Sequence, residues 1–180
     1  VRGENIMNGY WNDPVATSST IINGWVHTGD IGEFDEEQYL KITDRKKDII
    51  VNAGGDNISP SRVEEKLNIK PEIAQSMLYG DFKNFLVAII VPDKDQAIIW
   101  AKNNNKNTDI KSLIKDEDFI KMMKEVTSKV NSRLSVIEQV RKFILIDEEF
   151  TIENDMMTPT MKIKRFKVKE IFGDQLENLF

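Results

Sequence analysis

The stretch ITDRKKDIIVNAGGDNISP, residues 42–60, changes character twice over a short distance. It runs from five consecutive charged residues into an apolar segment and then into the glycine pair Gly54 and Gly55. Ser59 suits a helix N-cap and Pro60 suits the first helical position. The pattern therefore predicts a short strand, a glycine turn and the start of a helix. The abrupt change at the charge cluster indicates a boundary between two structural units.

The composition narrows the class of protein. With 180 residues, 40% hydrophobic and 31% charged residues and a net charge of -5, the chain is typical of soluble globular proteins rather than disordered or fibrous ones. A negative net charge also argues against broad nucleic-acid binding. Cysteine is absent, which excludes disulfides and zinc-thiolate sites and is compatible with a reducing cytosol. The only histidine, His27, excludes multi-histidine metal sites and is expected to be structural or to lie near Asp30.

No apolar run approaches the roughly 18 to 20 residues that a membrane span needs. The chain begins at Val1 without the charged and apolar segments of a secretory signal. We therefore expect a piece of a longer protein, cut within a domain.

Residues 1–46 are predicted to be mostly β. Gly, Asn, Pro and Ser separate isolated apolar residues over residues 1–20, which indicates short strands joined by turns. Residues 25–26 and 39–40 flank an acidic turn at residues 35–37, which predicts a β-hairpin.

Residues 47–180 are predicted to form an α+β unit with an antiparallel sheet and two or three covering helices. AQSMLYGDF and NFLVAIIVPD predict two strands around residues 80–84, the second apolar enough to be central, and VRKFILIDEEF predicts another. DEDFIKMMKEVTSKVNSRL predicts a helix, and TPTMKIKRFKVKEIFGDQLENLF a loop that ends in a short helix. The apolar residues that recur at helical spacing in the first of these helices, and so belong to the core, are Phe119, Met123, Val126, Val130 and Leu134.

Two segments of the first half carry candidate binding residues. Asp30, in HTGDIG, could accept hydrogen bonds from the two vicinal hydroxyls of a ribose, although an ordinary Asp in a glycine turn explains these six residues better. Arg45 offers a planar fork for phosphate or hydroxyl groups, and Lys47 a point charge, whereas the usual explanation of such a run is a solvated turn. Gly54 and Gly55 indicate either a turn with positive φ or a close approach by a ligand. Their segment lacks the spacings of a P-loop or a dinucleotide fingerprint.

Lys162 lies in TPTMKIKRFKVKEI, where basic and apolar residues alternate loosely. Composition leaves three interpretations open. The first is an exposed basic edge, and the second is a patch for a membrane surface or RNA. The third is a lysine on a loop fixed by Pro159 that reaches into an active site and stabilises developing negative charge.

The order of these segments is more specific than any one of them. RGENIMNGYW, GWVHTGDIG, YLKITDRKKDIIVNAGGDNISP and MTPTMKIKR together resemble the C-terminal third of an adenylate-forming acyl-CoA synthetase of the AMP-binding superfamily, most closely the long-chain fatty-acid branch. The resemblance implies an ATP-dependent ligase that forms an acyl-adenylate and then a thioester with CoA. It also implies a β-rich end of a large N-terminal domain, a hinge, and a small mobile C-terminal domain that rotates between the two steps.

By the same resemblance, Asp30 and Arg45 would bind the adenylate and Lys47 would be the hinge. Gly54 and Gly55 would border the CoA tunnel, and Lys162 would be catalytic. Some relatives have an arginine at the position of Asp56, so a phosphate contact there is not expected. Long-chain fatty acid, ATP with Mg²⁺, and CoA would be the substrates and cofactors, the nucleotide and metal held mainly by the missing N-terminal domain. This chain alone should be inactive and contains no predicted metal site.

Two alternatives stay open. One is a ligase for another carboxylic acid, or an adenylation domain that feeds a carrier protein, within the same superfamily. The other is a non-catalytic module whose basic edge binds an anionic surface or a partner. A cytoplasmic location is expected, and the basic C-terminal edge permits contact with the inner face of a membrane without requiring it.

Overall fold

A computed structural model describes residues 1–180 and contains two compact units, Val1–Ile49 and Ile50–Phe180. Helices and strands occur in separate groups, which confirms the predicted α+β class. The sequence placed the boundary after residue 46, three residues before the end of the first unit. The assignment of the two units to a large and a small domain stays a prediction.

The first unit begins with a helix that the sequence did not predict. Helix α1 (Pro14–Thr20) occupies part of the region expected to contain only strands and turns. The Asp13 carboxylate accepts a 2.8 Å hydrogen bond from the Ala16 amide, and Pro14 stands at the first position. Both are helix-start signals, so local capping outweighs the weak apolar pattern of PVATSST.

The first unit also contains two β-hairpins rather than the one predicted. Strands β1 (Ile21–Ile22) and β2 (Trp25–Val26) pair with each other, while β3 (Asp30–Phe34) and β4 (Leu40–Arg45) flank the acidic turn. The predicted first arm at residues 25–26 was therefore wrong. The reason is the turn between β1 and β2, in which Asn23 and Gly24 both have positive φ, as a tight two-residue hairpin requires.

The second unit contains nine further segments before its last strand and helix. In chain order the elements are β5 (Ile50–Val51), β6 (Asn57–Ile58), α2 (Pro60–Asn68), β7 (Ile73–Tyr79), β8 (Leu86–Pro92), α3 (Lys94–Asn103), α4 (Ile110–Leu113), α5 (Glu117–Asn131), a 3-10 turn (Val136–Glu138), β9 (Val140–Leu145) and α6 (Arg165–Glu177). The predicted start of α2 is confirmed, because the Ser59 hydroxyl accepts a hydrogen bond from the Arg62 amide and Pro60 is the first residue.

The main sheet of this unit has the order β7-β8-β9. β7 and β8 are antiparallel, as predicted, but β9 lies parallel to β8, so the expectation of an entirely antiparallel sheet needs correction. The physical reason is the connection. The chain between β8 and β9 passes through α3, α4 and α5, and a long helical crossover lets a strand return in the same direction.

The predicted central strand, β8, is buried along its whole length. Its side chains alternate between two core clusters, with Leu86, Ala88 and Ile90 in one and Val87, Ile89 and Val91 in the other. Because successive side chains point to opposite faces of a sheet, apolar layers cover both faces. The predicted apolar stripe of α5 belongs to the first cluster, and α6 contributes to the second.

The first unit has no comparable core. Asp44 is the only buried residue before Ile50, and many large apolar side chains are exposed, with Trp11 92% exposed and Val15 77% exposed. No helix of the structure combines the length and the apolar character that crossing a membrane would demand.

Candidate functional site

Asp30 and Arg45 form the first group of candidate residues. They are cross-strand partners at the open end of the β3–β4 hairpin, and the Arg45 Nε lies 2.7 Å from the Asp30 Oδ1. Gly29, with a φ of 73°, precedes Asp30, and the Asp30 amide bonds to the Thr28 hydroxyl at 3.1 Å. The structure therefore brings two of the predicted site residues together as an ion pair, with half of the Arg45 side chain still exposed.

Asp30 lines an open cavity of about 630 Å³ within the first unit. Residues 27–31 form one wall of this cavity, and Trp25 and Lys46 also line it. Lys46 lines the cavity, whereas Lys47 does not. From the sequence, Lys46 was expected only to be part of the charge cluster. The cavity combines an aromatic surface with a carboxylate and an ammonium group, which suits a ligand that has a planar part and polar groups.

The charge cluster itself forms a turn at the end of β4. The Lys46 amide bonds to the Gly29 carbonyl at 2.8 Å, and the Asp48 amide bonds to the Arg45 carbonyl at 2.9 Å. Lys47 is exposed in this turn, two residues before the last residue of the first unit. The geometry accounts for the charged run as a solvated turn, and the hinge role of Lys47 stays a prediction.

Gly54 and Gly55 lie at the tip of the β5–β6 hairpin in the second unit. Asn52 and Asp56 close this glycine turn, residues 52–56, through side chain and backbone: Asn52 Nδ2 donates to Asp56 Oδ2 at 3.0 Å, and the Asp56 amide donates to Asn52 Oδ1 at 2.9 Å. Asp56 therefore has a structural partner within the turn, at the position where no phosphate contact was expected. The turn also rests on residues 80–84, since the Ala53 amide bonds to the Lys83 carbonyl at 3.0 Å.

The two glycines differ in what they require. Gly55 has a φ of 85°, which L-residues adopt at a cost, yet an added Cβ would meet nothing within 4 Å. At Gly54 the φ is unexceptional, and a Cβ would come within 3.3 Å of Asn52 Oδ1 and 3.4 Å of Asp56 Oδ2. The positive φ of Gly55 explains this glycine as a turn residue. The surface beside it is also exposed and open, which leaves room for a ligand.

Lys162 lies in a separate loop of the second unit, residues 158–162, which we call the lysine loop. The Thr158 amide bonds to the Lys162 carbonyl at 2.8 Å, and the Lys162 amide bonds to the Thr158 hydroxyl at 3.1 Å. A β-bridge between Met157 and Ile163 closes the base of the loop. The backbone of Lys162 is therefore held at both its polar groups, while its side chain is exposed.

The lysine loop differs from a diffuse basic edge because the neighbouring cations have partners. Lys164 pairs with Asp155, and Lys167 pairs with Glu170 at 2.9 Å. Lys169 Nζ lies 4.9 Å from the centre of the Tyr79 ring. Among the five basic residues of this segment, Lys162 alone shows neither an ion pair nor a ring contact.

The fifth cation, Arg165, makes a contact that the sequence analysis missed. Its guanidinium binds the buried Glu64 carboxylate with two bonds, of 2.7 and 2.6 Å, and Glu64 Oε1 also accepts the Leu78 amide at 2.7 Å. This pair joins α2, β7 and the first residue of α6, directly after the lysine loop. A signal was present, because Glu64 stands among the buried residues Pro60, Val63 and Leu67 of α2 and so is a charge on an apolar helix face.

No group of three or more His, Cys, Asp or Glu side chains is arranged to hold a metal ion. The donor set of this chain therefore does not fit Mg²⁺ by itself.

No family model matches the sequence. Individual proteins do match: the chain is 37% identical over its whole length to 30% of the long-chain-fatty-acid–CoA ligase FadD15 of Mycobacterium tuberculosis, and 35% identical to 26% of long-chain-fatty-acid–CoA ligase 1 of Homo sapiens. This chain is related to part of a long-chain-fatty-acid–CoA ligase. The resemblance that its motifs predicted is thereby confirmed, and the chain spans 30% and 26% of the lengths of these two ligases.

Comparison of the fold with solved structures agrees with the similarity to the ligases. The adenylation domain of a carboxylate reductase from Mycobacterium chelonae superposes with a TM-score of 0.83 and 25% identity over 98% of this chain and 26% of that one. The A domain of a carboxylic acid reductase from Segniliparus rugosus, in complex with AMP and a co-purified carboxylic acid, gives the same TM-score and identity over 99% and 27%. The chain therefore has the fold of part of an adenylation domain.

Proposed function

We propose that this chain is part of an ATP-dependent long-chain-fatty-acid–CoA ligase and that Lys162 acts in acyl-adenylate formation. The observation that carries the proposal is the unpaired ammonium group of Lys162, on a loop whose backbone is hydrogen-bonded at that residue, beside four basic residues that all have partners. A fixed stem with a free charge is what positioning of a catalytic cation requires.

In the first half-reaction a carboxylate oxygen of the fatty acid attacks the α-phosphorus of ATP, and the bond to pyrophosphate breaks. Negative charge grows on the oxygens around that phosphorus and on the leaving group. The Lys162 ammonium stabilises this charge. Mg²⁺ with ATP would be held mainly by the rest of the full-length protein, because this chain has no suitable cluster.

Asp30 and Arg45 would hold the ribose of the adenylate as a joined pair, with the adjacent cavity supplying space for the nucleotide. In the second half-reaction the CoA sulfur attacks the acyl carbon and AMP leaves. Gly54 and Gly55 would leave room along the path of the thiol arm. Lys47 would lie at the hinge about which the small domain rotates between the two steps.

The burial pattern of the first unit supports its membership in a larger domain. Trp11, Phe34 and Tyr39 are each more than 60% exposed, and the unit has no buried apolar residue. Exposed apolar surface of this extent is typical of a surface that another part of a protein covers. We therefore expect the 180-residue chain alone to be inactive.

The test is fatty-acid-dependent exchange of labelled pyrophosphate into ATP by the full-length protein. Lys162→Ala should reduce the exchange rate by about 100- to 1000-fold, the usual cost of removing one group that stabilises transition-state charge. Transfer of a supplied acyl-adenylate to CoA should stay close to normal, because Lys162 is assigned to the first step only.

Lys167→Ala is the matched control, since it removes one charge from the same segment. It should leave both half-reactions nearly unchanged. Equal losses from the two variants would favour a non-catalytic module whose basic edge acts by charge count, and equal loss of both half-reactions in Lys162→Ala would remove that residue from the adenylation step.

A second candidate is an adenylation domain or ligase for another carboxylic acid. The TM-score of 0.83 to adenylation domains of carboxylic acid reductases favours including it. Exchange driven by aromatic or short acids, and not by palmitate-like acids, would select this candidate over the first.

We also infer a cytoplasmic location. Contact of the basic edge with the inner face of a membrane would depend on few free charges, because Lys164 and Lys167 are already paired with acids. Sedimentation with anionic vesicles tests this contact, and we expect weak binding that salt abolishes.

A further inference from the structure

A small pocket in the second unit is lined by none of the residues assigned above. Glu72, at the end of the loop before β7, forms one side, α3 forms the second side and α5 forms the third. Its volume is about 230 Å³, below the roughly 300 to 1000 Å³ of pockets for drug-sized ligands. The pocket therefore fits only a small molecule or the end of one side chain.

The walls combine aromatic and soft apolar surface. The Trp100 and Phe119 rings stand edge to face, with centroids 5.1 Å apart and planes at 69°. Met122 lies beside them, and the side-chain amides of Gln96 and Asn103 border the pocket. Two aromatic rings at a steep angle form a corner, and such corners attract organic cations through the negative faces of the rings.

The only charged residue that lines the pocket is acidic. Glu72 Oε2 is buried and receives no hydrogen bond from the protein. The Glu72 backbone is held in place, since its carbonyl accepts the Asp93 amide at 3.0 Å, directly before α3. A buried carboxylate oxygen without a donor is costly, so it is a position at which a cationic donor would be strongly favoured.

We propose that this pocket binds a methylated ammonium ion that keeps one N–H bond, such as trimethylammonium or the side-chain end of dimethyl-lysine. The single N–H would donate to Glu72 Oε2, and the methyl groups would contact Trp100, Phe119 and Met122. One unpaired acceptor matches one donor, and the apolar walls match the alkyl groups. The site is independent of the proposed ligase chemistry.

The experiment is an NMR titration of the ¹⁵N-labelled protein that follows the indole N–H signal of Trp100, assigned with Trp100→Phe. Three probes are compared: trimethylammonium chloride, tetramethylammonium chloride, which lacks the N–H bond, and tert-butanol, which has similar bulk without charge. We expect saturable binding in that order of decreasing affinity. Binding of tert-butanol as tight as that of trimethylammonium, or no saturable shift with any probe, would overturn the proposal.

Glu72→Gln tests the carboxylate, because it removes the charge and keeps the shape. It should weaken trimethylammonium binding by about tenfold, close to the lower end of what a hydrogen bond to a charged group contributes. Glu153→Gln, at an exposed position, is the charge-matched control and should bind normally. Equal affinity in both variants would contradict the role of Glu72. If Glu72→Gln does not fold, the order of the three probes on the unsubstituted protein still decides.

A final arm separates the two sources of this chemistry. A short peptide with dimethyl-lysine is titrated beside free trimethylammonium. An affinity at least about tenfold higher for the peptide, one order of magnitude in Kd, identifies a modified protein as the ligand, while equal affinity identifies a free amine. Failure of both would remove the pocket from consideration and leave the proposed ligase function untouched.

Discussion

The glycine turn and the lysine loop lie in one structural unit but present different groups to solvent. The glycine turn is closed by its own side chains, Asn52 and Asp56, and presents bare backbone at Gly55. The lysine loop is closed by a hydroxyl and by backbone bonds at Thr158, and it presents one long charged side chain. The first loop offers a surface by omitting side chains, whereas the second holds a charge in place by fixing the backbone beneath it.

The two loops also differ in what anchors them. Backbone hydrogen bonds hold the glycine turn against residues 80–84. Each of these bonds contributes only modestly to stability. The lysine loop is followed by Arg165, whose pair with Glu64 is the most buried ion pair of the structure, with side-chain exposures of 23% and 9%. A difference in stability between the loops should therefore depend on this pair.

Arg165→Met should produce the largest effect on this comparison. It removes both guanidinium bonds from the buried Glu64 carboxylate, and breaking a buried pair in this way costs about 3 to 5 kcal/mol. The free energy of unfolding, measured in urea, gives the value, and hydrogen exchange gives its distribution. Amides of the lysine loop should lose more protection than those of the glycine turn.

Lys167→Met is the control for that substitution, because its pair with Glu170 is at helical spacing and more exposed than the Arg165–Glu64 pair. It should cost less than about 0.5 kcal/mol. A loss in Arg165→Met no greater than in this control would refute the anchoring role of Arg165.

Gly54→Leu should affect only the second half-reaction of the full-length protein. A side chain there would crowd Asn52 and Asp56 and extend over the surface assigned to the thiol arm. We expect about a hundredfold loss in thioester formation, as for misplaced reactants, with pyrophosphate exchange largely retained. Unchanged CoA kinetics would remove the glycine turn from the CoA path.

Gly55→Ala separates backbone strain from crowding. At a φ of 85°, alanine should cost about 1 to 2 kcal/mol in the free energy of unfolding. Gly54→Ala, where φ is ordinary and the nearest atoms belong to side chains, should cost less. Urea unfolding of the two variants in parallel is the measurement, and the reverse order would show that crowding dominates.

The smallest effect concerns the base of the lysine loop. The hydrogen bond from Lys164, and then its charge, lower the pKa of Asp155. A carboxyl group whose pKa is lowered on folding stabilises the protein above its unfolded pKa, and this contribution is lost as the pH falls through the folded pKa.

Lys164→Met should raise the pKa of Asp155 toward its ordinary value. The loss of stability at low pH that comes from this carboxyl group should then disappear. Carboxyl ¹³C NMR titration gives the pKa directly. Lys169→Met, which removes a charge that faces Tyr79 instead, should leave it where it is. An Asp155 pKa that is the same in both variants would show that Lys164 does not set it.

Local patterns predicted the parts of the fold that depend on near neighbours in the chain. The start of α2 follows from Ser59 and Pro60, and the stripe on α5 follows from helical periodicity. The candidate residues Asp30, Arg45 and Lys162 were also found in this way, by residue type and order. Their roles stay predictions, since the structure places Asp30 beside Arg45 without a ligand to test either one.

Other features escaped the sequence because they depend on partners far along the chain. Glu64 and Arg165 are 101 residues apart, and β9 joins β8 in parallel only after three helices intervene. Periodicity describes which side of an element is apolar, and it contains no information on which distant charge that side will meet.

The sequence by itself determined the start of α2, the apolar stripe of α5, which strand is central and which segments resemble an acyl-CoA synthetase, because these properties depend on local spacing and residue type. Only the tertiary structure decided that Lys162 is the one cation of its basic segment without an ion pair or ring contact, and that Arg165, three positions later, is paired with Glu64. The reason is that burial and ion pairing are set by the packing of distant segments, and two similar basic residues then acquire different surroundings.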